Sequence, residues 1–325
     1  MTLRYFVFDY QNVAVCNHRS EFSARDYVTN DDKSHSATPS PISVLLGTLL
    51  MRGKYIYGAV RHLSRMTYSE FKALVAHRPE FDPTATFGLT KVPNPQWKLG
   101  QGANSDEWKR HKKVELDPAE RAGPENYKTL ISGVVPRPIA FVSSVSPDGI
   151  ANLAPISYFN LANNDPPIVT LGFSQNQGKA KDTVNNILAT EECTINIISE
   201  WWVEAANMAA LDCPPEVDEW KYCGLTPEKL TVVKPAHVAE LAYSMECKLV
   251  ASHEWKLKRT GKPLGNTLLL EVIRFHIRSD VLNDGNVVDI NKLKPVSRLG
   301  GITYGRTTLG YELPKPLNDN LEDYQ

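Results

Sequence analysis

The sequence predicts a mainly β fold with helices, an antiparallel β-barrel carrying an N-terminal extension. Three observations carry that reading. Residues 138–145 and 150–157 are apolar or alternating runs joined by Ser146-Pro147-Asp148-Gly149, where Pro fixes φ and Gly supplies positive φ, so the chain must turn back as a hairpin. Residues 267–279 alternate over two faces, Leu269, Glu271, Ile273, Phe275 and Ile277 against Leu270, Val272, Arg274, His276 and Arg278, which suits a barrel wall with one wetter side. The strands are short, with two intervening helices and no repeated βαβ unit, which favours an antiparallel barrel over a doubly wound sheet.

In chain order, residues 1–65 hold an apolar opening, a polar stretch from Glu21 to Pro41, and an apolar segment, Ile42 to Val60, broken by Arg52, Gly53 and Lys54. That segment falls short of the roughly 18 apolar residues a bilayer span requires, so no membrane partner is expected. The first ten residues lack the apolar region and small-residue cleavage site of a signal peptide, so the expected location is cytoplasmic. Residues 1–65 carry no motif and are expected to be an accessory extension, with Met66 as an alternative start. Residues 66–126 are expected to be an extended arm with a short helix, capped by Ser69 and presenting Phe71, Leu74 and Val75. Trp97 and Trp108 are its candidate anchors. The body spans 127–310, and 311–325 form an acidic tail. Within the body, strands are expected at 138–145, 150–157, 167–173, 193–198, 242–254 and 267–279, with helices at 180–190 and 201–210.

Composition narrows the function. With 36 basic and 37 acidic side chains among 325 residues, no basic excess exists to hold a polyanion, so no nucleic-acid partner is expected. The run Trp108-Lys-Arg-His-Lys-Lys is flanked by Asp106, Glu107 and Glu115 and reads as a solvated face. Five cysteines, odd in number and without Cys-x-x-Cys, read as reduced thiols. Cys213 and Cys223 could form a redox couple or hold a metal, but ordinary packing is the stronger reading and no metal is expected. Gly172 to Ala180 resembles a phosphate-binding loop with the wrong glycine spacing, and no Gly-x-Gly-x-x-Gly or Gly-x-Ser-x-Gly exists. His237, His253 and His276 therefore read as structural, His276 standing on the wetter strand face within reach of a substrate.

The most informative stretch is PRPIAFVSSVSPDGIANLAPISYF at 136–159, where Pro155 is expected to end pairing and leave backbone N–H groups free beside Ser157. It is followed in order by Asp165-Pro-Pro-Ile-Val, Lys181-Asp182-Thr183, Cys193-Thr-Ile-Asn-Ile-Ile-Ser-Glu, Pro214-Pro-Glu-Val-Asp-Glu-Trp, Lys234-Pro and Arg298-Leu-Gly-Gly-Ile-Thr-Tyr. This series, over roughly 127–306, resembles the flavin reductase-like family of FMN-binding split barrels, the group often called flavoprotein oxygenases. The resemblance implies a Greek-key antiparallel split barrel that binds FMN, with FAD as the alternative. It also implies NAD(P)H as hydride donor, a small-molecule electron acceptor, and a homodimer with flavin near the subunit interface.

FMN needs a cation and donors for its phosphate, hydrogen bonds to its ring edge, and a flat slot open at N5. Lys181, Thr183 and Ser174 are the phosphate candidates, because a helix start exposes unpaired N–H groups and a favourable dipole. The family's matching motif implies the same place. Asp182 would cap that helix or orient its loop; a plain cap by Asp182 and Thr183 is the competing structural reading. Asn152, Ala154, Ser157 and Tyr158 are the ring candidates, which the resemblance implies act largely through backbone. Asn196 either contacts flavin or satisfies a strand end, and Arg298 either stabilises reduced flavin near N1 or pairs with an acid. Hydride transfer to N5 requires no acid or base, so no catalytic side chain is assigned. The rival readings are a non-enzymatic FMN electron carrier or redox sensor and a pyridoxamine-phosphate-oxidase-like enzyme.

Overall fold

The computed structural model describes residues 67–175, 179–258 and 260–316, and the expectations for residues 1–65 and for most of the acidic tail fall outside them. The chain divides into two units, Met1–Arg78 and Pro79–Gln325. In the first, helix α1 (Tyr68–Val75) starts at Thr67 and not at Ser69. A reciprocal box holds it there: Glu70 N–H donates to Thr67 Oγ1 at 3.3 Å and Thr67 N–H donates to Glu70 Oε2 at 2.7 Å.

The second unit runs, in order, through β1 (Gly88–Leu89), α2 (Gly123–Gly133), β2 (Ala140–Val145), β3 (Ala151–Ile156), β4 (Phe159–Asn164), β5 (Pro167–Ser174), α3 (Asp182–Thr190), β6 (Glu192–Ile197), α4 (Val203–Met208), α5 (Trp220–Cys223), β7 (Pro227–Glu228), β8 (His237–Val238), β9 (Tyr243–Lys256), β10 (Pro263–Ile277), α6 (Ile290–Leu293), β11 (Val296–Arg298), β12 (Tyr304–Arg306) and β13 (Leu309–Gly310). Seven strands form one sheet in the order β3-β2-β6-β9-β10-β5-β4, every neighbouring pair antiparallel. Its two edge strands, β3 and β4, are consecutive in the chain and separated only by Ser157 and Tyr158. So short a link between opposite edges forces the sheet to curl until the edges meet there, which makes a barrel closed at one place.

Strand β2 explains why its sequence reads as an unbroken apolar run. Ala140 and Val142 face a barrel core with Phe159, Leu171, Leu268 and Leu270, while Ile139 and Phe141 face a second core with Trp202, Trp220 and Val238. Both faces are buried. Helix α3 enters the first core through Val184 and Ile187, so its N-terminus is fixed rigidly to the barrel. The hairpin at 146–149 forms as read, with Gly149 at φ 85° and its N–H on the Ser146 carbonyl.

Some elements were not legible in advance. Helix α2 lies in a Gly-Pro stretch that resembled the end of the arm, yet Pro124 sits in its first turn, where a missing N–H costs nothing. Strand β4 is Asn-rich and exposed beyond Phe159, the signature of an edge strand rather than a core strand. The expected helix at 201–210 splits into a 3₁₀ turn, Glu200–Trp202, and α4. In the stretch from Pro79 to Ala122, Trp97 and Trp108 are not anchors: the Trp97 indole bonds the Gly102 carbonyl of its own loop, and Trp108 is 65% exposed. It is held instead by parallel pairing of β1 with β13 and by Arg306, which stacks on Phe81 and donates to the Asp82 carbonyl. Among the described residues no helix is long and apolar enough to cross a membrane.

Candidate functional site

The site begins where the barrel closes. Pro155 does not end the β2–β3 ladder: it stands opposite Phe141, and pairing continues to Ile156 opposite Ala140. An edge strand tolerates the missing N–H because its outer side has no ladder to donate to. The free backbone begins one residue later, at Ser157. The crossover then lies against β5, with Gly172 N–H donating to the Tyr158 carbonyl at 2.7 Å. A side chain at Gly172 would bring its Cβ to 3.0 Å from Tyr158 Cβ, so glycine is what permits this approach.

Of the phosphate candidates, Thr183 is tied to β3 near the hairpin turn. Asn152 on β3 donates its amide to Thr183 Oγ1 at 3.0 Å and to Ser144 Oγ at 3.3 Å, and Asn186 reaches the same Ser144 hydroxyl at 3.2 Å. All four side chains are buried, so this polar knot locks the α3 start to the β2–β3 hairpin. Lys181 occupies the N-cap position in extended conformation, and among the described residues no side chain caps the helix. The plain cap by Asp182 and Thr183 is therefore not formed, and the first-turn N–H groups of Asp182 and Thr183 keep the character of an anion site. Ser174 is exposed at the end of β5, opposite Gly265, and no described bond ties it to α3. Ala154 is half-buried against the barrel core.

Acids temper this end. Burial pushes the Asp182 carboxyl up, Asp212 and Glu216 push it further, and Lys181 pulls it back. Glu219, 5% exposed, accepts the Leu153 N–H at 3.1 Å, and burial raises its carboxyl as well. The same surroundings act on the two cysteines: burial, then Glu219 and Asp218, push the Cys223 thiol up to about 12, and Cys213 is raised by burial, Glu219 and Asp212, so neither is an activated thiol. Among the described residues no group of His, Cys, Asp and Glu could hold a metal ion.

Two candidates are committed elsewhere. Asn196 is fully buried, donates to the Phe141 carbonyl at 2.9 Å and accepts from Val238 N–H at 3.1 Å, so its amide joins β2 to β8. Arg298 donates to the Gly301 and Ile302 carbonyls and stacks over Tyr304 at 4.5 Å. His276 bonds Glu246 Oε1 at 2.6 Å and His237 lies between Ser244 and Glu228, so both are held in the wall.

The residues that sequence reading passed over are Arg137 and Tyr127. Burial pushes the Tyr158 phenol up, Tyr127 adds to this and Arg137 opposes it. Arg137 sits between two prolines, and that alone gave no sign that its side chain would be buried. The crossover after β3 offers backbone and a hydroxyl, and the α3 start held by Asn152 offers first-turn N–H groups, the donors that a planar ligand with an anionic tail requires. FMN has that chemistry, and the residues present fit it.

A sequence model of the flavin reductase like domain matches residues 132–292. An uncharacterised protein of Halalkalibacterium halodurans is 34% identical over 211 residues, covering 64% of this chain and 100% of that protein. The structure of nitrilotriacetate monooxygenase component B from Bacillus cereus superposes with a TM-score of 0.60 and 32% identity, covering 62% of this chain and 100% of that one. The 2-nitrobenzoate 2-nitroreductase of Pseudomonas fluorescens superposes with a TM-score of 0.56 and 25% identity, covering 63% and 98%. These relatives are matched over nearly their full length, so about a third of the present chain is additional to them.

Proposed function

Because the chain belongs to the flavin reductase-like family of split-barrel proteins, we propose that it is an FMN-binding oxidoreductase that takes hydride from NADH or NADPH and passes electrons to free flavin, oxygen or another small acceptor. One observation carries this reading. Segments 152–158 and 181–183, far apart in sequence and suited to the two ends of one cofactor, are tied together by the Asn152–Thr183 bond. The first-turn N–H groups of α3 with Lys181 bind the phosphate, and the Ser157–Tyr158 backbone orients the ring. The apolar wall behind it, with Phe159 and Leu171, excludes water. Bound flavin supplies the hydride acceptor and electron relay, chemistry that no side chain here provides. FAD would need room beyond the phosphate end and is the second candidate.

The partner expected is a second copy of the chain. Tyr127, Leu130 and Val134 on and just after α2, with Leu161 on edge strand β4, are exposed apolar side chains that a homodimer would cover. Purified protein should be yellow, release FMN on denaturation and oxidise NADH or NADPH with turnover. A colourless protein that does not respond to FMN titration would refute the reading. Bleaching by NAD(P)H without turnover would instead mark an electron carrier.

A further inference from the structure

Ser144 on β2 is fully buried and stands directly opposite Asn152 in the β2–β3 ladder. Its hydroxyl accepts from two amides, Asn152 Nδ2 at 3.3 Å and Asn186 Nδ2 at 3.2 Å, which uses both of its lone pairs. The same Asn152 amide also donates to Thr183 Oγ1 at 3.0 Å. Among the described residues, the Asn186–Ser144 and Asn152–Thr183 bonds are the side-chain bonds that join the first two turns of α3 to the strands. Val184 and Ile187 also bury the helix against the barrel core, but apolar attraction is non-directional and does not by itself fix how far the helix slides or rolls. Hydrogen bonds, which require both distance and angle, do fix it. The Ser144 hydroxyl is the hub on which those bonds converge.

Resting on the flavin reading above, we propose that Ser144 is a positioning residue for the phosphate end of the ligand. It does not touch the ligand, because none of its own surface is accessible. It acts through Asn152 and Asn186, which hold the first-turn N–H groups of α3 at a set height and rotation beside β3, so that an incoming phosphate meets donors already aimed. The ring end lies outside this effect: Asn152 is near the start of β3, whereas Ser157 and Tyr158 follow its last residue, Ile156. Loss of the hub should therefore remove the contribution of the phosphate and spare that of the ring.

The test uses the full-length protein and two ligands that share ring and ribityl chain, FMN and riboflavin, the second lacking the phosphate. The wild type should bind FMN about tenfold more tightly than riboflavin, or better, the worth of a charge-assisted bond. Ser144→Ala should cut that ratio about fivefold or more with riboflavin affinity held within about twofold, and Ser144→Thr, which keeps the hydroxyl, should restore it. Asn186→Ala removes one arm of the hub and should give a smaller loss of the same kind. A residue that merely supports the fold would lower unfolding stability and move both ligands together; that result in a folded Ser144→Ala protein overturns the proposal, as does an unchanged ratio. Hydrogen exchange on the wild type tests it without a variant: relative to riboflavin, FMN should protect residues 144–152 as well as 182–187, and extra protection confined to the helix overturns it. Equal affinity of the wild type for the two ligands also overturns it and leaves the ring end of the flavin reading standing, whereas no affinity for either overturns that reading too.

Discussion

Two buried polar regions flank the same barrel and are built from similar residues, yet one is saturated and the other is not. On the wall formed by β6 and β9, Glu246 accepts the Val232 and Val233 N–H groups and His276, Asn196 bonds β2 and β8, and Thr194 donates to the Pro235 carbonyl. Segment 226–240 is clasped there by side chains that take up its backbone groups. At the α3 start and beside α2, by contrast, among the described residues α3 has no side-chain cap, Arg137 has an Nε without a hydrogen-bond partner, and Asp182 is crowded by other carboxylates. Residue type is similar in the two regions; what differs is how many partners each polar group finds among the described residues.

The comparison breaks most visibly at Glu246. Glu246→Ala removes the acceptor of two backbone N–H groups and of His276 from a site with no solvent access, and should destabilise the fold by about 3–5 kcal/mol in denaturant unfolding. FMN affinity of the protein that remains folded should be unchanged. Burial raises the Glu246 carboxyl, but bonds from His276, Val233 and Val232 outweigh it and hold the group below its ordinary 4.5. Its contribution is thus complete above pH 4.5 and is lost as pH falls through the lower folded value. Wild-type stability should show this acid-side loss, and Glu246→Gln should flatten it.

A smaller effect in the same region comes from Asn196. Asn196→Ala strands the Val238 N–H and the Phe141 carbonyl inside the protein and should cost about 1–3 kcal/mol of stability. If it instead left stability intact and abolished FMN binding, Asn196 would belong to the site. Across the barrel the readouts exchange places. Lys181→Ala should weaken FMN binding by about 1.5–3 kcal/mol, the worth of one charge-assisted bond, while changing stability by about 0.5 kcal/mol or less. Unchanged FMN affinity in a calorimetric titration would move the phosphate away from α3.

The sequence announced the barrel through patterns that depend only on neighbours along the chain. The Pro-Asp-Gly turn, the alternation of residues 267–279 and the apolar run of β2 are local signals, and each element lies where it was read to within a few residues. What escaped depends on contacts between distant segments. Edge strand β4 has one paired side and few apolar residues, so nothing in its own sequence distinguishes it from a loop. The Asn152–Thr183 knot spans 31 positions, and both residues were chosen as candidates without any sign that they would bond each other. The burial of Arg137 has no sequence signal because its partners are carbonyls, two from the nearby end of α2 and one from distant Leu299, and carbonyls carry no sequence identity.

The finest distinction concerns Asp182, whose charge works against a phosphate and for the helix. As first residue of α3 its carboxylate complements the helix dipole, worth about 0.3–1 kcal/mol, so Asp182→Asn should cost a little stability. The same change removes one negative charge from a cluster in which Asp212 and Glu216 already raise the carboxyl, and so should tighten FMN binding a few-fold. Because Asp182 is partly neutralised as pH falls toward its raised value, the gain should shrink on acidification. It should also shrink with added salt, since charges about 10 Å apart are largely screened at 0.1 M ionic strength. Fluorescence titration of FMN at low and high salt separates the cases. Tighter binding only at low salt supports a phosphate beside Asp182, whereas weaker binding at both would mean that the carboxylate orients Lys181 and is part of the site.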